Sequence, residues 1–181
     1  INLKKLILNN LILLNLVKSK IMNNQNLNAN LNFQIEDVDK TSYLEDLSLN
    51  INFNEGNLII NDSKIDWYNT ILINLDNAEI LTEKNEIKIV GEINFNFKDL
   101  TKFYNYYQIK RNYRQNIKNI NLDFILNLDQ KKIYIDNIKI NNNSNDYINK
   151  FVLNFNSQNK DIFNKLRFRN FVREFFVNYD G

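Results

Sequence analysis

Apolar and polar residues alternate with a period of two through much of the middle of the chain. The clearest run, residues 47–53, places Leu, Ile or Phe at every second position, with Ser or Asn between them. Such alternation gives a strand one apolar and one polar face, which is typical of an antiparallel sheet with one side in water. The apolar positions of this run and of its repeats are Leu47, Leu49, Ile51, Phe53, Ile71, Ile73, Leu75, Ile93, Phe95, Phe97, Leu122, Phe124, Leu126 and Leu128.

Short polar segments separate these runs and predict the turns between strands. Residues 54–57 include Gly56, which adopts positive φ without steric cost, so they predict a hairpin. Residues 129–131 predict a second turn before the apolar pair Ile133 and Ile135. We therefore expect a meander of neighbouring strands over residues 27–140.

Three segments change to the spacing of an amphipathic helix. Asp99 is a favourable N-cap for a short helix near residues 99–108, which interrupts the strands. Two further helices are expected within residues 145–179, beginning near Asn145 and Asp161. The pattern as a whole predicts an α+β fold in a single domain: a curved antiparallel β-sheet meander with a short inserted helix and two C-terminal amphipathic helices.

The first residues carry no sign of a secretion signal or a membrane span. Residues 1–26 predict a strand or helix lead-in to the sheet, and the apolar run at residues 11–17 is too short to span a bilayer. No charged segment followed by a small-residue cleavage site is present. We expect the chain to be the C-terminal part of a longer protein, with any membrane anchor upstream.

The amino-acid composition excludes several kinds of active site and ligand. Asn makes up about a fifth of the 181 residues, several times its average usage, and AT-rich coding bias accounts for most of this excess. The chain has no His and no Cys, which excludes a Ser-His-Asp triad, a Cys nucleophile and the usual zinc sites. The net charge of +2 does not favour nucleic-acid binding. We expect no enzymatic activity, no cofactor, no metal and no nucleic-acid partner.

The order of these elements is similar to that of a known family. The segments that carry the likeness are residues 12–21 (ILLNLVKSKI), 53–58 (FNEGNL), 87–93 (IKIVGEI), 103–107 (FYNYY), 110–114 (KRNYR), 120–128 (INLDFILNL) and 168–181, which begins FRNFVREFF. In strand texture and element order, nearly the whole chain resembles the C-terminal region of AsmA-like proteins. This bacterial envelope family is related to the long β-groove lipid-transfer proteins.

The resemblance implies a setting and a role. It implies an inner-membrane-anchored protein exposed to the periplasm, which takes part in outer-membrane assembly through phospholipid transport. Phospholipid would be the ligand, the membrane would be reached through the upstream anchor, and other envelope proteins would be partners. Within that role, the apolar sheet positions given above are the candidate lipid-facing or core residues.

Two readings of the apolar sheet face remain open at the level of sequence. In one, the face forms a groove that holds acyl chains, each buried methylene contributing about 0.8 kcal/mol. In the other, the C-terminal helices cover the face and produce an ordinary closed core. The second reading gives a purely structural or protein-interaction cap, whose unpaired edge strands dock a neighbour.

A basic cluster follows the inserted helix. Lys110, Arg111 and Arg114 are interleaved with tyrosines, a combination that suits contact with phospholipid headgroups. A solvated loop and a single-stranded nucleic-acid site are the other readings. Lys110, Arg111 and Arg114 are the candidate headgroup contacts.

The last predicted helix and two pairs of carboxylates are the remaining candidates for functional residues. Lys165, Arg169 and Arg173 form a basic stripe opposite an aromatic face, which either packs on the domain or lies on a membrane surface. The pairs Asp62/Asp66 and Glu83/Glu86 have neither metal-site nor glycosidase spacing, so they are interpreted as surface charge.

Overall fold

The computed structural model describes residues 17–19, 21, 24–36, 44–157 and 164–179. Most of the predicted lead-in at residues 1–26, and the predicted helix start at Asp161, lie outside these residues. The strands are β1 (Ala29–Glu36), β2 (Leu44–Asn54), β3 (Asn57–Trp67), β4 (Ile71–Glu83), β5 (Glu86–Phe97), β6 (Asn119–Asn127), β7 (Lys132–Ile140) and β8 (Asn143–Ser144). The α-helices are α1 (Leu100–Tyr107), α2 (Asp146–Ser157) and α3 (Lys165–Asn178).

The eight strands form one open antiparallel sheet in which each strand pairs with its neighbours in sequence. This arrangement confirms the predicted α+β fold, with its meander, its inserted helix and its two C-terminal helices. Three of the connections are two-residue turns with positive φ at both positions: residues 55–56, 84–85 and 141–142. Turns of this kind match the twist of the flanking strands and force them to lie side by side.

Asn replaces Gly at many positions that need positive φ. Of the twelve non-glycine residues with positive φ in the described chain, six are Asn. The whole sequence contains only three glycines. Asn reaches the left-handed region at lower cost than most residues because its short side chain hydrogen-bonds locally. The Asn content therefore contributes to the turns, whatever its origin in coding bias.

Three of these positive-φ residues mark β-bulges within strands. Asp62 and Asn77 lie at irregularities in β3 and β4. Asp62 N donates to the Asp76 carboxylate at 3.0 Å, and Asn77 N donates to the Asn61 side-chain amide oxygen at 3.2 Å. Asn137 occupies the equivalent place in β7. A bulge adds one residue to a strand, so the apolar side chains on both sides of it stay on the same face.

Packing at the β4–β5 pair is unusually close beside the second bulge. A Cβ at Gly91 would lie 2.6 Å from the Cα and the Cβ of Ala78, and Ala78 is fully buried. The absence of a side chain at Gly91 thus allows the two strands to approach at the centre of the apolar face.

Each helix begins with an acidic or amide cap and presents an aromatic or aliphatic face to the sheet. Asp99 accepts a hydrogen bond from Lys102 N at 2.9 Å, Asn145 from Ile148 N at 3.0 Å, and Asn164 from Leu166 N and Arg167 N at 3.1 Å. Such caps satisfy otherwise unpaired N–H groups of the first turn. The helices bury Phe103, Tyr104 and Tyr107 (α1), Ile148, Val152 and Phe155 (α2), and Val172, Phe175 and Phe176 (α3).

An asparagine side chain covers the β7 edge of the sheet. Asn156 of α2 donates from Nδ2 to Ile135 O at 2.7 Å and accepts from Ile135 N at 3.0 Å. Its amide therefore completes the hydrogen bonding that a further strand would supply. Natural proteins protect edge strands in such ways, because open edges pair with other chains.

Candidate functional site

The strand register places thirteen of the fourteen predicted apolar positions on one face of the sheet; the fourteenth, Leu128, lies outside the strands. Leu47 pairs with Ile65, Ile65 with Ile73, and Ile73 with Phe95. Phe95 in turn pairs with Ile120, on β6. Five strands thus contribute to a single apolar row. The bulges keep the apolar side chains beyond them on the same face as this row.

The three helices cover this face from β4 to β7 without filling the space completely. A cavity of about 310 Å³ lies between the sheet and α3, at the lower end of the volumes found for ligand sites. All of its lining residues are aliphatic or aromatic. They are Trp67, Ile71, Ile73, Ile93, Phe95, Phe97, Phe103, Tyr107, Ile120, Leu122, Ile133, Ile135, Ile138, Phe168, Phe171, Val172, Phe175 and Phe176.

Six of the fourteen predicted positions line this cavity: Ile71, Ile73, Ile93, Phe95, Phe97 and Leu122. Some lining residues, such as Ile71 and Phe176, are buried, whereas others, such as Phe95 and Leu122, are partly exposed. Phe168 is 38% exposed. The cavity is therefore open to solvent on part of its wall.

Aromatic rings form the wall of the cavity at the α1 end. The ring of Tyr107 lies 5.6 Å from that of Trp67, 4.8 Å from that of Phe103 and 6.2 Å from that of Phe168, measured between centroids. Burial raises the pKa of the Tyr107 phenol far above its usual value. This wall is consequently uncharged, and it suits an apolar ligand rather than a polar one.

Seven of the other eight predicted positions lie elsewhere on the same face, whereas Leu128, which we predicted as a strand position, lies in the turn after β6. Leu47, Phe53 and Phe124 are buried, whereas Leu49, Ile51, Leu75, Leu126 and Leu128 are partly exposed. The structure therefore assigns some of them to a core and leaves others open to a ligand. On β1, Leu31 and Phe33 are 40% and 39% exposed.

The sheet side of the cavity also includes residues that we did not select from the sequence. Ile120, Ile133 and Ile135 follow the same alternation as the chosen positions, and that alternation is the signal for them, whereas Ile138 reaches the same face through the bulge in β7. Trp67, at the end of β3, also lines the cavity. It is the only Trp in the chain.

The basic cluster after α1 divides into exposed and internally bonded residues. Lys110 and Arg111 are exposed. Arg114 donates to Ile109 O and to Asn105 Oδ1, both at 3.0 Å, and its guanidinium lies 5.6 Å from the centre of the Tyr104 ring. Arg114 thus stabilises the loop, and Lys110 and Arg111 are the members of the cluster that are available to a headgroup.

The basic stripe of α3 contacts the end of α1. Arg169 donates to Tyr106 O at 3.2 Å, and Arg173 donates to Tyr107 O at 2.8 Å and to the side chain of Gln108. Cationic side chains at a helix C-terminus satisfy its free carbonyls and interact favourably with its dipole. The helix packs on the domain, and Arg169 and Arg173 bond to α1 where the packing interpretation would leave them in water, while Lys165 remains exposed.

The predicted surface carboxylates make ordinary surface contacts. Asp66 accepts from Lys98 at 2.5 Å, and Glu83 from Lys88 at 2.6 Å. The hydrogen bond from Lys88 lowers the pKa of Glu83, and those from Gln130 and Asn127 lower the pKa of Glu86. In the described part of the chain, no three acidic side chains are grouped so that they could hold a metal ion.

Comparisons with known proteins yield no relative. No family model, no curated protein and no solved structure matches the chain. Among the helices that the structure describes, none has the length and apolar character needed to cross a membrane.

Proposed function

We propose that the chain is a non-enzymatic segment of an inner-membrane-anchored periplasmic protein that takes part in outer-membrane assembly. In this proposal, phospholipid acyl chains travel along the apolar face of the sheet. The observation that carries it is the cavity between the sheet and α3, which is lined by aliphatic and aromatic residues and is partly open to solvent. The envelope setting rests on the resemblance to AsmA-like proteins.

The energetics of burial favour a hydrocarbon occupant. Each methylene group moved from water into such a cavity contributes about 0.8 kcal/mol. No lining residue offers a charged group, so a phosphate would remain outside the cavity. Lys110 and Arg111 are exposed on the loop after α1 and are suited to contact a phosphate there.

A second candidate function is a structural or protein-interaction cap with a closed core and no lipid. It is favoured by the extent of the core beneath the helices, where Ile138, Ile148 and Phe176 are at most 1% exposed. On this alternative, the cavity is an imperfection of packing. The two functions differ in whether an acyl chain enters the cavity.

Trp67 allows a direct test, because the only Trp of the chain lies in the cavity wall. We expect phospholipid vesicles with brominated acyl chains to quench Trp67 fluorescence more strongly than unbrominated vesicles. Native mass spectrometry of the protein purified from bacterial membranes should detect bound phospholipid independently.

A matched pair of variants tests the location. Leu122→Phe adds volume on the cavity wall, whereas Ile125→Phe makes a comparable change three residues later on the opposite face of β6. Leu122→Phe should reduce both quenching and co-purified lipid, and Ile125→Phe should leave both unchanged. A folded, lipid-free protein with no bromine-dependent quenching would support the cap instead.

A further inference from the structure

The face of the sheet opposite the cavity carries an apolar row where alternation predicts polar residues. Val90 of β5 pairs with Ile125 of β6, which pairs with Tyr134 of β7. Ile125 and Tyr134 are each 41% exposed. Three adjacent strands thus present apolar side chains to solvent side by side. Contiguous exposed apolar surface of this kind is characteristic of interaction sites.

A row of carboxylates lies directly beside this apolar row. Asp76 pairs with Glu92, Glu92 with Asp123, and Asp123 with Asp136, on four successive strands. Like charges placed directly opposite each other destabilise a sheet. Asp76 and Asp123 accept hydrogen bonds from the neutral groups Asp62 N and Asn137 Nδ2, and the ion pairs within the described chain involve other carboxylates.

The two rows share a concave surface. A depression of about 540 Å³ is lined by members of both rows and by two residues of α2, Leu153 and Asn156. Leu153 is 62% exposed and extends the apolar strip beyond the edge of the sheet. The surface therefore has an apolar strip, an acidic strip and a helix along one side.

We infer that this surface docks a basic, amphipathic segment of a partner protein, one that presents Lys or Arg beside aliphatic or aromatic side chains. The apolar strip supplies the area that is removed from water, and the acidic strip supplies complementary charge and orientation. The four carboxylates would repel an anionic phospholipid surface at the acidic strip. The row on the other side of the apolar strip contains Lys88 and Lys132, of which Lys88 is paired with Glu83. This inference does not depend on the proposed lipid function, because the two surfaces lie on opposite faces of the sheet.

Three synthetic peptides of equal length test the chemistry of the partner. One alternates Lys with Leu, one Lys with Ser and one Glu with Leu, and fluorescence anisotropy measures their binding to the full chain at about 0.15 M salt. The Lys/Leu peptide should bind about tenfold or more tightly than the Lys/Ser peptide, and the Glu/Leu peptide should not bind. Equal binding of the two Lys peptides would overturn the inference, because it would show attraction by charge alone.

Variants locate the surface. Ile125→Ser should weaken Lys/Leu binding by about tenfold or more, whereas Val177→Ser, at an exposed apolar residue of α3, should not. Glu92→Gln should weaken binding too, yet raise the thermal midpoint of the free protein by relieving repulsion. Wild-type binding by Ile125→Ser would overturn the inference. Concentration-dependent dimerisation that Ile125→Ser abolishes would also overturn it, since the occupant would then be a second copy.

Discussion

The two ends of the apolar sheet face differ in what the described structure places over them. From β4 to β7 the three helices pack on the face, and Ile71, Ile140 and Phe176 are between 1% and 4% exposed. On β1, which continues the same alternation, Leu31 and Phe33 remain about 40% exposed. Alternation therefore fixes the side of the sheet to which a residue points. Whether that residue joins a core, a cavity or an open surface depends on the docking of the helices.

The largest expected effect comes from truncating one Phe in each region. Phe176→Ala should lower the free energy of unfolding by about 3–5 kcal/mol, because it leaves a void among buried rings. Phe33→Ala should lower it by about 1 kcal/mol or less, because the side chain is already 39% exposed. Urea unfolding of both variants at one pH and salt concentration measures the difference. Similar losses would show that β1 is as well covered as the helical side.

The β7 edge of the sheet provides a second contrast, between two asparagines of α2. Asn156→Ala removes both hydrogen bonds to Ile135 and should reduce the free energy of unfolding by about 1–3 kcal/mol, since two backbone groups lose their partner. Asn154→Ala, at an exposed site on the same helix, should cost about 0.5 kcal/mol or less. Amide hydrogen exchange at Ile135 should accelerate only in the first variant. If both variants exchange like the wild type, Asn156 does not protect the edge.

The smallest expected effect is a dependence on alkaline pH that arises in the helix-covered region. Burial raises the pKa of Tyr104 to about 12, against about 10 in the unfolded chain. Between these values the phenol has released its proton in the unfolded state but not in the folded state. The stabilisation that depends on Tyr104 is therefore fully present below pH 10 and decreases as pH rises towards 12.

Tyr104→Phe should flatten part of this decline in denaturant midpoints measured from pH 8 upwards; Tyr107, whose pKa is also raised, retains the rest. At neutral pH the variant should lose about 1 kcal/mol through its missing hydrogen bond to Gln115 O. The control Tyr147→Phe, at a residue 68% exposed, should leave the slope unchanged. An unchanged slope in Tyr104→Phe would mean that its phenol titrates normally.

Much of the fold was predictable because its determinants are local. A period of two identifies strands, and Gly56 marks one of the tight turns. The bulges were not predicted, although the phase of the pattern shifts between Leu75 and Ala78 and again between Ile135 and Ile138. In each case an Asn or Asp next to the shift adopts positive φ, and an Asx residue at such a phase shift is the signal to use.

The site was less predictable, because it depends on packing between distant segments. Alternation identified six residues of the cavity wall, but the contribution of α3 depends on how that helix docks. Arg114 shows the same limit for charged groups. Its position in a basic loop favoured contact with a headgroup, whereas the folded loop directs its guanidinium to Ile109 O and Asn105. Sequence spacing does not reveal that a long side chain will hydrogen-bond within its own loop instead of extending into solvent.

The meander has a consequence for how the chain folds. Every strand pairs with its neighbours in sequence. Apart from residues 98–118, which contain α1, the loops that must close between the described strands are therefore short, and their entropic cost is small. A topology with such low contact order favours rapid folding compared with β-sandwiches of the same size. The sheet can therefore grow one hairpin at a time in the order in which the ribosome releases it. Among the described elements, α3, which completes the cover of β4–β7, is synthesised after all the strands that it covers.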